Sequence, residues 1–309
     1  MGRQLSAAER RFLIYALGGG SGHAVRGALL GAALAELGYG SRVLVPEGRG
    51  ELVRSLGGEP FQCRATTSPV ELRRSLEQSI LEHAATDLVV DTFPEGLLGE
   101  LDGDPPCVRM QLVLRARRDR QSPRFLRALG RYRRAYDLEP HLGWLCAPDA
   151  DRVSAFGPVA RRLKRETTEH DVLLVAGEPT FEPFFERLAR RLEACGYRAA
   201  SARPGEFASA GRHRLEPLLG TEALSTRVVV GPAGFNLTYE LAALGVWHVA
   251  IARPRRYDDQ ALRAGRVAVA CRSPEAVERR VLQLLASRAA RPSGQRVRAA
   301  EELAERLVQ

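Results

Sequence analysis

The sequence predicts an α/β protein of two domains, each a parallel β-sheet wrapped by helices, and three observations carry that expectation. Apolar runs of five to eight residues alternate with helical-period stretches from Phe12 almost to the end, as buried parallel strands joined by crossover helices do. The 309 residues exceed the usual size of one compact α/β domain and suit two of about 100–150 residues. Between 156 and 170 the alternation breaks at a Gly-Pro step and a charged stretch, FGPVARRLKRETTEH, before a new apolar run begins. The domains are therefore expected at residues 1–160 and 161–309.

The elements follow in order. FLIYAL at 12–17 reads as a strand ending in GGGSGH at 18–23, and Ala24 to Leu37 carries apolar residues at helical spacing. SRVLVP (41–46), a helix over 69–85, DLVVDTF (87–93), CVRMQLVL (107–114) and a strand around Trp144 complete the first half. DVLLVAG (171–177) opens the second, followed by a helix over 181–195 and a short strand after Gly196. RVVVG (227–231), a helix from 235, WHVAIA (247–252) and a helix over 274–287 come next, and 295–308 predicts a C-terminal helix. No repeat of 20–50 residues is present, which argues against a solenoid.

Composition narrows the function classes. No apolar run reaches the roughly 18–20 residues of a membrane-spanning helix, and the polar start lacks the apolar centre of a secretory signal, so a cytoplasmic location is expected. The five cysteines, at 63, 107, 146, 195 and 271, show no metal-ligand spacing and read as reduced thiols. No cofactor and no metal site are expected. The formal charge is +9, and Lys164 is the one lysine among 46 basic residues. Arginine pairs bidentately with phosphate, which fits a phosphate-bearing ligand, but arginine-dense solvated surfaces also arise with no partner. The stretch 115–134 has two readings: an amphipathic helix touching anionic lipid or a membrane-borne acceptor through Phe125, Leu126, Leu129 and Tyr132, or a packed helix with a solvated basic face. No nucleic-acid motif accompanies the charge, and no nucleic-acid partner is expected.

Two constellations carry chemistry. Gly18, Gly19, Gly20, Ser21, Gly22 and His23 lie between a strand and a helix, where exposed backbone N–H groups and the helix dipole favour an anion. His23 is a candidate general base there, against the plainer reading of a helix-start hydrogen-bonding residue. In the other half, GPAGFNLTYELAALGVWHVAIARPRRYDDQALRA (231–264) reads as turn, helix, strand, loop and helix, putting Gly234, Asn236 and Glu240 near the carboxyl end of a strand. Open parallel sheets bind ligands at that edge. Tyr257, Asp258, Asp259 and Gln260 follow the next strand, where acids and amides suit sugar or ribose hydroxyls and helix capping is the plainer explanation.

The glycine-rich loop ending in histidine, together with Gly234, Glu240 and an Asp-Gln pair about 20 residues later, resembles the GT-B glycosyltransferases, including those that form lipid II. The resemblance covers both halves, with its specific motifs in about 40 residues. It implies two Rossmann-like domains facing across a cleft, the C-terminal one holding a nucleotide diphosphate sugar, usually UDP-linked, and the N-terminal one an acceptor that the sequence does not name. It further implies Glu240 on the ribose hydroxyls, Asp259 and Gln260 on the transferred sugar, Gly234 and its neighbours near the diphosphate, and loop 18–23 facing phosphate and acceptor. His23 would be the base, with Asp91 a second base candidate, and Thr92 and Glu95 would meet the acceptor. The implied reaction is metal-independent, inverting sugar transfer, set in the cytoplasm or at the inner face of the membrane. Two departures stand out: Glu178 lies where relatives contact the diphosphate, and Arg263 replaces the usual asparagine after the Asp-Gln pair. They leave open a nucleotide-sugar hydrolase or epimerase on the same fold, or a binding protein without catalysis.

Overall fold

The structure, a computed structural model, describes residues 9–102, 108–145, 153–161, 164–175, 181–202, 223–287, 292 and 297–309. Glu178 lies outside the described residues. The chain divides into two compact units, one comprising residues up to Val159 together with Arg298–Gln309, the other Ala160–Val297.

The first unit is a seven-stranded parallel sheet in the order β3-β2-β1-β4-β5-β6-β7. Its strands are β1 (Arg11–Tyr15), β2 (Gly40–Pro46), β3 (Pro60–Cys63), β4 (Asp87–Asp91), β5 (Arg109–Leu114), β6 (Arg134–Asp137) and β7 (Val153–Ala155). Its helices are α1 (Ser21–Glu36), α2 (Gly50–Ser55), α3 (Pro69–His83) and α4 (Pro123–Leu129). Strands β1 and β4 are apolar along most of their length because both sheet faces are covered, which removes the two-residue alternation of a half-solvated strand. Helix α1 lies close on the sheet: a Cβ on Gly27 would come within 2.7 Å of Val43 and 2.8 Å of Ala16.

The second unit is a five-stranded parallel sheet, β12-β11-β10-β8-β9. It contains β8 (Lys164–Val175), β9 (Ala199–Ala202), β10 (Ala223–Pro232), β11 (Trp247–Ile251) and β12 (Val269–Cys271). Its helices are α5 (Glu182–Ala194), α6 (Phe235–Leu244), α7 (Gln260–Val267) and α8 (Pro274–Ala286). One core, with Val172, Leu174, Val228, Val230 and Val249, packs against Phe185, Leu188 and Val281 of α5 and α8, while Leu173 and Val229 face Leu241 of α6.

Three expectations are corrected. The C-terminal helix, α9 (Ala300–Val308), belongs to the first unit, whereas the second domain was expected to run to 309. Its last carbonyls, without helical partners, accept from first-unit side chains: Leu307 O from Gln111 Nε2 at 2.9 Å, Arg306 O from the Tyr136 hydroxyl at 2.9 Å and Val308 O from Arg10. The strand expected around Trp144 lies at β6; Trp144 follows a short 3-10 turn and donates its indole N–H to Asp137 at 2.8 Å. The strand expected to open at 171 begins earlier, at Lys164 within the charged stretch, where it already pairs with β10.

Candidate functional site

Parallel topology brings the carboxyl ends of β1, β4 and β5 to one edge of the first sheet, and the side chains there form one hydrogen-bonded cluster. His23, third residue of α1, places Nδ1 2.6 Å from Oδ2 of Asp91, the last residue of β4. Arg26, one helical turn on, donates to the same carboxylate twice, at 2.7 Å to Oδ2 and 3.1 Å to Oδ1. Burial alone would raise the Asp91 carboxyl, but Arg26 and then His23 outweigh it and hold it well below the ordinary carboxylate range. An ionised carboxylate only accepts, so the His23 proton sits on Nδ1 and the lone pair on Nε2. Arg115, directly after β5, brings a guanidinium nitrogen to 3.4 Å from Nε2. Burial first, then Arg115 and Arg26 against the upward pull of Asp91, lowers the imidazole to about 4. The ring stacks on Phe93, with centroids 5.2 Å apart.

Local backbone fixes this cluster. A Cβ on Gly18 would fall 2.3 Å from His23 Cδ2, so the ring occupies space that only glycine leaves open. Gly19 and Gly20 have nothing within 4 Å of a built Cβ, and helix α1 starts at Gly20 without a side-chain cap or a first-turn acid, a helix start of the kind that favours an anion. Thr92 has φ +77°, a strained value for a β-branched residue. It is held by its N–H to Val113 O at 2.8 Å, by Arg117 Nη1 on its carbonyl at 2.9 Å, and by its hydroxyl on Asp91 Oδ1 at 3.2 Å. Arg117 is fully buried and pairs with Glu95 at 2.6 Å.

In the second unit, the turn after β10 and the loop before α7 are tied together. Arg263 donates to Ala233 O at 2.9 Å and to Asp258 Oδ1 at 3.0 Å, Asp258 Oδ2 accepts from Gln260 Nε2 at 3.1 Å, and Gln260 Oε1 accepts from Arg253 N at 3.1 Å. Asp259 caps α7, accepting from Leu262 N at 3.1 Å. Gly234, N-cap of α6 without a side-chain cap, has open space where a Cβ would lie, and Asn236 sits half-buried in that helix's first turn. Glu240 is buried and accepts from Arg161 through both oxygens, at 2.9 and 3.1 Å. Burial raises its carboxyl in spite of Arg161.

Solved structures resemble the chain over nearly its whole length. The spinosyn forosaminyltransferase SpnP shares 14% identity at TM-score 0.64, covering 97% of this chain and 93% of that one. A proposed UDP-N-acetylglucosamine 2-epimerase of Listeria monocytogenes shares 13% at 0.63, covering 97% and 95%. MnaA of S. aureus in complex with UDP shares 14% at 0.62, also covering 97% and 95%. The chain has the GT-B fold. No family model matches it, and no curated protein matches it in sequence.

Within this GT-B chain, the structure joins His23 and Asp91, expected as alternative bases, into one hydrogen-bonded pair. Asp91, ionised and accepting from both His23 and Arg26, is poorly suited to take a proton itself. Thr92 and Glu95, expected to meet an acceptor, are buried and engaged by Asp91 and Arg117. Asp259 serves the plain capping role, whereas Glu240 is buried in its helix rather than an exposed helical charge. Arg263 replaces a short amide with a fully buried cross-link. Arg26, Arg115 and Arg117 were hidden among 46 basic residues; helical spacing from His23 to Arg26 was the one signal for the first. In α4, Phe125 and Leu129 are core residues and Tyr132 donates to Pro94 O, which matches the packed-helix reading of the Arg-rich stretch. No helix among the described residues is long and apolar enough to cross a membrane.

Proposed function

We propose that the chain transfers a sugar from a nucleotide diphosphate sugar, UDP-linked by expectation, to an acceptor hydroxyl in the cytoplasm, with inversion and without a metal. The His23–Asp91 contact of 2.6 Å carries the reading: a carboxylate that fixes the Nδ1–H tautomer turns Nε2 into an oriented base, the arrangement required to deprotonate a nucleophile. As the acceptor oxygen bonds the anomeric carbon, its proton passes to Nε2 and the C–O bond to the diphosphate breaks, the electron pair leaving with the phosphate oxygen. The donor belongs to the second unit, its diphosphate at the Gly234 turn and the N-terminus of α6, its sugar at the Asp259–Gln260 loop, and its ribose at Glu240, where Arg161 must share or release the carboxylate. Loop 18–23, with Gly19, Gly20, Ser21 and Gly22, supplies backbone donors to developing charge.

Thermal unfolding with UDP, thymidine diphosphate and their sugars tests this. At about 100 times its dissociation constant a nucleotide adds about 2.7 kcal/mol and raises the midpoint several degrees; Glu240→Gln should abolish that shift. If no nucleotide moves the wild-type midpoint, the donor site is refuted and a binding role without catalysis takes its place. The likeness to a proposed 2-epimerase favours a second reading on the same fold, epimerisation or hydrolysis of the donor. Products formed without acceptor decide between them: an isomerised or freed sugar supports the second reading, unchanged donor the first.

A further inference from the structure

The position of Arg115 narrows the acceptor. Nε2 is the one His23 atom able to receive a proton, and Arg115 stands within 3.4 Å of it. Asp91, the counter-charge for a protonated His23, is divided, because Arg26 takes both of its oxygens at 2.7 and 3.1 Å. Around the imidazole thus stand two guanidiniums, Arg26 at 3.5 Å from Nδ1 and Arg115 at 3.4 Å from Nε2, and one carboxylate. Such a setting disfavours a cationic imidazolium and favours an anion beside Nε2. An alcohol gives its proton to a histidine only as its oxygen bonds the electrophile, so little negative charge stands on that oxygen for a guanidinium to meet; a carboxylate has no proton to give and needs no base. A phenolic hydroxyl lies between, protonated at neutral pH yet acidic enough for a weak base to share its proton.

We propose that Arg115 is a further catalytic residue that stabilises the deprotonated acceptor oxygen at His23 Nε2, and that the acceptor is a phenol. This rests on the transferase reading above. As the proton moves from the phenol to Nε2, the negative charge growing on the acceptor oxygen meets the Arg115 guanidinium, which turns from the nitrogen to the oxygen as the nitrogen becomes cationic.

The test uses 4-nitrophenol, whose phenol and phenolate forms differ in colour, titrated into the full chain without donor. Wild type should bind the phenolate preferentially, shifting ionisation of the bound probe toward acid by about one pH unit, a tenfold preference. Arg115→Gln should lose that shift, Arg115→Lys should retain part of it, and 4-nitrobenzyl alcohol should bind more weakly and equally to all three. Circular dichroism establishes that each variant is folded; if Arg115→Gln is not, Arg115→Met is read in its place. Absence of probe binding, equal binding of both forms, or a shift that survives in folded Arg115→Gln overturns the proposal. A nucleotide-induced midpoint shift alongside any of these outcomes removes the phenol and Arg115 but leaves the donor site standing. Phenolate binding with no nucleotide shift removes the transferase reading instead.

Discussion

At the scale of single residues, the site depends on one absent side chain. A methyl at Gly18 would lie 2.3 Å from Cδ2 and 2.6 Å from Nε2 of His23, so the ring must swing away from Asp91. Gly18→Ala is expected to cost about 1–3 kcal/mol of stability, as overpacking does, and to lower kcat about 100-fold through a displaced base. Gly19→Ala, whose Cβ meets nothing, should stay within about 0.5 kcal/mol of wild type. Chemical denaturation and the NMR signals of His23 compare the two; equal behaviour would remove Gly18 from the site. The sequence shows why this was only half legible. GGGSGH announces a loop with room for something, but the glycine that makes room for a ligand and the one that makes room for a histidine look alike without coordinates. His23 and Asp91 were each visible as polar residues after apolar strands, yet their pairing across 68 positions is a product of β1 and β4 lying side by side.

At the scale of elements, legibility followed burial. The central strands β1, β4, β8, β10 and β11 stand out as apolar runs, as strands covered on both faces do, whereas three of the four edge strands, β3, β7 and β12, of three or four residues, carry too little pattern to be seen, and the fourth, β9, was marked only by the glycine before it. Helix starts had a local chemical marker: α3, α4 and α8 begin with Ser-Pro, the serine oxygen accepting from the N–H three residues on. The destination of α9 had no marker, since amphipathicity predicts a helix and not the surface it seeks. Leu303 of α9 is 2% exposed and, with Leu30, Val89 and Val113, walls a cavity of about 20 Å³ that reaches Arg26 and Asp91, room for about one water. Leu303→Ala should therefore destabilise the first unit by about 2–5 kcal/mol. The two tryptophans report the units separately, Trp144 the first and Trp247 the second, so Trp144→Phe and Trp247→Phe backgrounds isolate each. A loss read by Trp247 with Trp144 unmoved would return α9 to the second unit.

For the whole molecule, two units with different buried ionisable groups should respond differently to acid, so each has its own unfolding midpoint, and the midpoint that nucleotide raises is that of the second unit. His23 in the first unit and His248 in the second are each lowered by burial to about 4, the Gly231 backbone opposing burial at His248 only weakly. A histidine that resists protonation when folded and accepts it near 6.5 when unfolded removes stability as pH falls from about 6.5 to 4, about 3 kcal/mol for such a displacement. Asp137, in the first unit, runs the other way: burial raises it to about 6, so the folded state takes up a proton before the unfolded chain does and gains about 3 kcal/mol between pH 6 and 4. In the first unit that gain offsets the loss at His23, although His83, also lowered by burial, adds some loss. In the second, the raised Glu240 opposes His248, but with Arg161 on both its oxygens it titrates against a strong partner. The second unit should thus unfold first on acidification, with the Trp247 signal lost at a higher pH than that of Trp144. His248→Leu, which replaces a buried polar ring by an apolar side chain, should remove the difference and stabilise the second unit by about 1–3 kcal/mol at neutral pH. Asp137→Asn should bring the Trp144 transition up toward that of Trp247. Coincident transitions in wild type would mean that burial does not hold the two histidines low, and the weak-base setting of His23 would fall with it.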